Sequence, residues 1–212
     1  MFDTYIKQQT IDSVNEWVWP KDDNGLWDGP SKEWGPIGEI IKTHCASKVI
    51  AVQAGGACGM YPRLMSEIFE QIYTFEPDQY NFYCLSQNCQ KSNIHKFNCA
   101  LGDRHTNIIF EAPNDQNRGT GTIDASSETA FGGTVPMLMV DDFEYRKLDL
   151  IHLDVEGSEY FVLRGAEKTI EKHRPLIILE TVNDQIREIL RNYDYEEIGR
   201  AGYDTVFKFT PK

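Results

Sequence analysis

Short runs of β-forming residues alternate with helical apolar stripes along most of this 212-residue chain, and that alternation restricts its fold more than any other feature. Residues 49–52 read as a short buried strand. Tyr61, Leu64, Met65, Ile68 and Phe69 then recur at the spacing of one helix face. Pro62 suits the first turn of that helix, where its missing N–H costs nothing. Residues 72–75 form a second strand rich in β-formers, followed by a helix over about 79–88. Residues 94–99 are a third strand, 148–153 a fourth and 176–179 a fifth. A helix over 160–172 joins the last two, and Ile186, Ile189, Leu190 and Tyr193 mark another after the fifth. The tail offers strands at 196–199 and 204–209, joined by Arg200-Ala201-Gly202-Tyr203, a link short enough for antiparallel neighbours. Such units build a mainly parallel sheet with helices on both faces and right-handed crossovers. The expected fold is α/β and doubly wound, with seven strands, mostly parallel, and a C-terminal antiparallel hairpin.

Residues 1–36 differ from the rest. They hold all four tryptophans and three of the nine prolines. Ile11, Val14, Trp17 and Val18 fit one face of a short helix that Pro20 stops. Residues 21–36, KDDNGLWDGPSKEWGP, read as an irregular loop. This N-terminal cap or extension is set apart from a domain over 37–212, whose first helix carries Ile37, Ile40 and Ile41 and ends near His44. Its tryptophans either pack over an apolar edge or, at Trp27 and Trp34, form a flap beside a ligand. On the flap reading, removal of residues 1–34 leaves a folded protein. Residues 113–134, with RGTGT and FGGT, read as a long loop preceded by an edge strand over 107–111.

Charge narrows the partners. With 21 basic and 33 acidic side chains the chain carries a net −12, which argues against nucleic acid. No apolar run approaches the roughly 20 residues of a membrane span. The start, MFDTYIKQQT, lacks the pattern of a secretory signal, so a cytoplasmic location is expected. The five cysteines form no C-x-x-C pair, and buried, reduced thiols are expected rather than a disulfide framework or a zinc site. The expected partner is a small molecule or carbohydrate, with no nucleic acid and no membrane; the oligomeric state is not legible.

In doubly wound sheets ligands bind beyond the carboxyl ends of the strands. There the chain places Gln53-Ala54-Gly55-Gly56-Ala57-Cys58-Gly59 after the first strand and Glu76-Pro77-Asp78 after the second. Ala100-Leu101-Gly102-Asp103 follows the third, Asp154-Val155-Glu156-Gly157 the fourth and Glu180 the fifth. A glycine turn lets a backbone approach a ligand that a Cβ would repel. An acid at the next strand end can hold a ribose diol. Together they point to an adenosine-containing cofactor, either a dinucleotide or S-adenosylmethionine. The dinucleotide fingerprint G-x-G-x-x-G, started at Gly55, falls on Gly55, Ala57 and Met60, so only one position is glycine.

The stretches VIAVQAGGACG (49–59), YTFEPD (73–78), CALGD (99–103), VPMLMVDDF (135–143), LIHLDVEGSEYFVLRGA (150–166) and PLIILE (175–180) together resemble the FkbM-type methyltransferases. These belong to the seven-stranded, Rossmann-like class I group that uses S-adenosylmethionine. The resemblance implies that Gly55 and Gly59, with Gln53 and Ala54 leading in, shape the turn under the cofactor. It implies that Glu76, followed by Pro77, holds the ribose hydroxyls. Ala100 and Leu101 would offer backbone to the adenine edge with Asp103 nearby, and Asp154 would face the methionine end. The chain departs from the family at Gln53, where an acid is usual, at Ala57, often asparagine, and at His152, typically lysine. If Gln53 is a weakened acid, Gln53→Glu should tighten cofactor binding. For an O-methyltransferase acting on a small hydroxylated molecule or a sugar, the candidate catalytic residues are Asp154, His152 and Glu156, with no resident metal required. The alternatives are a fold that has lost catalysis and, further off, a nicotinamide-dependent oxidoreductase.

Overall fold

Buried apolar runs pair into one seven-stranded sheet, and two apolar clusters line its opposite faces. The computed structural model describes residues 2–11, 14–21, 23, 28–111, 122–124 and 134–211. In chain order the elements are β1 (Thr4–Ile11), β2 (Val14–Pro20), α1 (Asp28–His44), β3 (Ile50–Ala54), α2 (Met60–Met65), β4 (Gln71–Phe75), α3 (Gln79–Asn88), β5 (Ile94–Phe97) and β6 (Ala100–Leu101). They continue with β7 (Thr106–Glu111), β8 (Thr122–Asp124), β9 (Thr134–Leu138), β10 (Leu150–Leu153), α4 (Glu159–Arg164), α5 (Glu167–His173), β11 (Leu176–Leu179), α6 (Asp184–Asn192), β12 (Tyr195–Ala201) and β13 (Asp204–Phe209). The large sheet runs β12-β13-β11-β10-β3-β4-β5. Its inner pairs are parallel, while β13 lies antiparallel to both β11 and β12. This is the expected α/β, Rossmann-like fold with its C-terminal antiparallel pair. The strand order reverses between β3 and β10, so the switch point lies between their carboxyl ends.

Side-chain alternation sorts each central strand between the two faces. On one, Ala51, Leu150 and Ile178 pack with Ile37, Ile41, Leu64, Met65 and Leu85. On the other, Val52, Ile151, Leu153, Ile177 and Leu179 pack with Val162, Leu163, Ile170, Ile186 and Leu190. The five cysteines are buried free thiols. No helix among the described residues is long and apolar enough to cross a membrane.

The N-terminal segment departs from the sequence reading. Ile11, Val14, Trp17 and Val18 lie on a β-hairpin, not a helix: β1 pairs antiparallel with β2. The alternation of buried Trp17 and Trp19 around half-buried Val18 is the period of a strand, and aromatic and β-branched residues favour one. The expected loop over 21–36 is helical from Asp28. Pro30 sits in its first turn, where proline is tolerated, and Pro36 removes one hydrogen bond from a 17-residue helix. Helix α1 therefore runs through the expected boundary at position 36. Trp34 joins Trp17 and Trp19 in the core cluster rather than standing on a flap; Trp27 lies outside the described residues.

Three further differences bear on the site. The helix expected over 160–172 is two helices, α4 and α5, parted at Gly165. A Cβ there would stand 1.9 Å from the Gly102 carbonyl oxygen, so this close approach excludes a side chain. The stripe over 61–69 is helical only to Met65. The strand expected over 94–99 stops at Phe97, and Ala100–Leu101 enters a second, four-stranded sheet of order β6-β9-β7-β8. Thr122 and Thr134, within the expected loop, are strand residues there, while most of RGTGT and FGGT lies outside the described residues.

Candidate functional site

The turn after β3 is fixed by backbone hydrogen bonds from both sides. Gly55 N and Gly56 N both donate to the Phe75 carbonyl, at 3.1 and 3.0 Å, and Asp154 N donates to the Ala54 carbonyl at 3.1 Å. Gly55 has φ +78°, and Gly59, at the N-cap of α2, has φ +88°. Ala57 has φ +44°, a left-handed conformation that asparagine adopts more readily than alanine. Gln53 is fully buried beneath this turn and bonded at both ends of its amide.

Glu76 sits beside the turn at the end of β4. Its Oε2 accepts from Ala57 N at 2.6 Å and its Oε1 from Asp78 N at 2.8 Å. Its own carbonyl accepts from Asn98 Nδ2 at 2.8 Å, and the Pro77 carbonyl accepts from the same group at 3.2 Å. Asn98 therefore fixes the Glu76-Pro77 step to the chain after β5, a role the sequence reading did not assign. An ionised carboxylate accepts at about four lone-pair sites and donates at none, so Glu76 is an acceptor only. Ala100 and Leu101 are buried in β6, the end strand of its sheet; Asp103 is half-buried and accepts from Arg104 at 3.2 Å.

Glu76→Ala removes the acceptor from two backbone amides, one on the glycine turn. Hydrogen bonds to a charged group are each worth about 1.5–3 kcal/mol. The fold should survive, because the carboxylate lies beyond the strand, and affinity for S-adenosylhomocysteine should fall by about that amount. Unchanged affinity together with a lower melting temperature would make Glu76 structural only.

A second group of acids gathers at the ends of β10 and β11. Carboxylate oxygens of Asp154, Glu156 and Glu180 all lie within 4.8 Å of one another. Glu156 is held there by a left-handed backbone, φ +52°. Burial, then the charge of Glu180 and a hydrogen bond to it, pushes Asp154 well above the usual carboxylate range. Burial, then Glu180 and Glu159, lifts Glu156 to about 7. Glu159, at the start of α4, is also raised by burial.

Residues distant in sequence complete this end. Tyr61 Oη donates to Glu33 Oε2 at 2.8 Å, bringing a carboxyl of α1 to the site. Burial raises Glu33, and the charges of Asp204 and Glu180 add to it. His152 is fully buried, its Nε2 3.1 Å from Asp204 Oδ2 and its ring edge-on to Tyr61. The imidazole thus lies inside the fold beneath the acids, with no exposed surface on which to meet an acceptor. The structure gathers Asp154, Glu156 and Glu180, and places His152 in a fully buried position paired with Asp204.

These raised carboxyls have a thermodynamic consequence. A carboxyl whose native pKa exceeds its unfolded value, about 4, keeps its proton longer in the fold. The resulting stability is full below the unfolded value and is lost as pH rises through the native one, for Glu156 about 7. The melting temperature should therefore fall from pH 5 to pH 8. His173, lowered by burial, works in the opposite sense in both wild type and variant. Glu180→Gln removes a charge felt by Asp154, Glu156 and Glu159, and should flatten the fall. Equal slopes in the two proteins would assign the pH dependence to other groups.

A family model described as the methyltransferase FkbM domain matches residues 66–197. None of the curated proteins matches the chain. Among solved structures, methyltransferase FkbM from Methylobacillus flagellatus KT aligns with a TM-score of 0.52 at 19% identity, over 77% of this chain and 44% of that one. The chain thus spans less than half the length of that protein. The ribosomal protein L11 methylase from Lactobacillus delbrueckii subsp. bulgaricus aligns with a TM-score of 0.52 at 11% identity, over 90% of this chain and 83% of that one. Trm5b from Pyrococcus abyssi aligns with a TM-score of 0.55 at 11% identity, over 98% of this chain and 56% of that one. At these identities the structural likenesses speak for the fold.

Proposed function

The chain belongs to the FkbM methyltransferase domain family, and from that premise we propose that it transfers a methyl group from S-adenosylmethionine to a hydroxyl of a small molecule or sugar. The observation that carries this reading is the carboxyl cluster of Asp154, Glu156 and Glu180 across the switch point from the glycine turn. The donor set suits the cofactor. Glu76 at the end of β4 is an acceptor of the kind that ribose hydroxyls require, and the acids beside Asp154 complement a ligand positive at both its ammonium and its sulfonium. When bound, S-adenosylmethionine supplies the electrophilic methyl.

The work left to the chain is orientation and proton removal. A hydroxyl is a weak nucleophile until its proton leaves. Glu156, with a pKa of about 7, is matched to taking that proton near neutral pH. Asp154, its carboxyl pushed up by burial and Glu180, stands at the end of β10 and is assigned to the methionine end. His152 supports this floor through Asp204. The net charge of −12 favours a small neutral or cationic acceptor over nucleic acid.

Calorimetry should show S-adenosylhomocysteine binding and no response to NAD. Transfer of labelled methyl to a panel of hydroxylated small molecules and sugars should yield an alkali-stable ether. NAD binding without S-adenosylhomocysteine binding would overturn the cofactor assignment. Binding without transfer to any acceptor would favour a fold that keeps its cofactor and has lost the chemistry.

A further inference from the structure

Gln53 has both amide N–H donors committed to the turn that follows it. Its Nε2 lies 3.1 Å from the Ala54 carbonyl oxygen and 2.9 Å from the Gly55 carbonyl oxygen. Its Oε1 accepts from Thr74 Oγ1 at 2.7 Å. Thr74 is its register partner on β4, and both residues are fully buried. The turn also lies against Thr74, since a Cβ at Gly56 would stand 2.8 Å from Thr74 Oγ1 and 2.5 Å from Leu85 Cδ1. Only an amide meets this set of partners. It offers two donors for two carbonyls and one acceptor for a hydroxyl, whereas a carboxylate offers no donor. A glutamate at position 53 would set a buried negative charge against two carbonyl oxygens.

From this geometry we infer that Gln53 is a positioning residue for the cofactor turn, acting through the Ala54 and Gly55 carbonyls rather than as a weakened acid facing the cofactor's ammonium. The inference rests on the cofactor reading above. With the Gly55 carbonyl drawn toward Gln53 and the Gly55 and Gly56 N–H groups drawn to Phe75, the peptide planes of the turn are set before any ligand arrives. The sequence-based expectation for Gln53→Glu is thereby reversed: the substitution weakens binding.

The test compares wild type with Gln53→Met, Gln53→Glu and Thr74→Val. S-adenosylhomocysteine affinity is measured by calorimetry at a temperature where far-UV circular dichroism shows each protein folded. Gln53→Met keeps the length of the side chain and loses both donors. It should weaken binding about tenfold, as expected when carbonyls lose buried hydrogen bonds. Gln53→Glu should weaken it further, and Thr74→Val, which leaves the donors in place, less. If the Gln53 variants do not fold, Thr74→Val carries the test, and a dissociation constant equal to wild type overturns the inference. A lower melting temperature with unchanged affinity in Gln53→Met also overturns it, because that is the mark of a packing role. Tighter binding in Gln53→Glu overturns it in favour of a direct contact with the ammonium. Failure of the wild type to bind S-adenosylhomocysteine overturns the cofactor reading itself.

Discussion

Gly55→Ala should destabilise the protein by about 2–6 kcal/mol, the sum of left-handed strain and overpacking, and remove measurable S-adenosylhomocysteine binding. Two independent obstacles meet at this residue. Its φ of +78° is a conformation that a side chain resists. A Cβ would also stand 1.7 Å from the Asp154 carbonyl oxygen and 2.8 Å from its carbonyl carbon. Both contacts are backbone, so no rotamer change relieves them. The two strands are stitched at this level, with Asp154 N on the Ala54 carbonyl and Leu153 opposite Ala54 in the ladder. Making room means parting the ends of β3 and β10, the switch point where Asp154 joins the site. Urea unfolding with calorimetry reads both effects. Ala57→Gly is the control: it relieves a left-handed alanine and should keep or slightly raise stability. Wild-type midpoint and affinity in Gly55→Ala would show that the turn shifts freely and is not held by its backbone hydrogen bonds.

The parts of the site legible in the sequence are those set by local pattern. Buried parallel strands are near-continuous apolar runs. Their ends were therefore visible at Phe75, Leu153 and Leu179, and within two residues at Ala54, and with them the residues that follow: Gly55, Glu76, Asp154 and Glu180. Pairings across the fold were not visible. Tyr61 meets Glu33 28 positions away, and His152 meets Asp204 52 positions away. Only the packing of α1 and the return of β13 beside β11 bring them together. At Gln53 the sequence shows an amide where an acid is usual; which atoms its hydrogens meet is a property of the folded turn. At Gly165 a helical stripe continues through a residue that costs only about 1 kcal/mol in a helix. The approach of the Gly102 carbonyl decides the break. In the N-terminal segment both signals were present. The spacing of Ile11, Val14 and Trp17 suits a helix, and the alternation Trp17-Val18-Trp19 suits a strand. The burial available to two indoles on one strand face settles it.

That settlement reverses the expectation for removal of residues 1–34: the deletion should unfold the chain, and Trp17→Ala alone should cost about 3–5 kcal/mol, the range for a large aromatic deleted from a core. Trp17 is fully buried, its Nε1 donates to the Gln9 carbonyl at 3.1 Å, and the Arg63 guanidinium lies 4.7 Å from the ring centroid. Arg63, in the last turn of α2, also donates to the Glu16 carbonyl at 2.8 Å. The hairpin is tied to the site by Asn88 at the end of α3. Asn88 Oδ1 accepts from Val18 N at 2.7 Å, and its Nδ2 donates to the Val18 carbonyl at 2.9 Å and the Cys58 carbonyl at 2.7 Å. Cys58 belongs to the glycine turn after β3, so loosening β2 releases a backbone group of that turn as well as core. Trp17→Ala should therefore lower both the urea midpoint and the affinity for S-adenosylhomocysteine, while substitution of exposed Ile6 on β1 should leave both near wild type. A deletion of residues 1–34 that folds, binds S-adenosylhomocysteine as wild type does, and changes only which acceptor is methylated would restore the segment as a detachable lid.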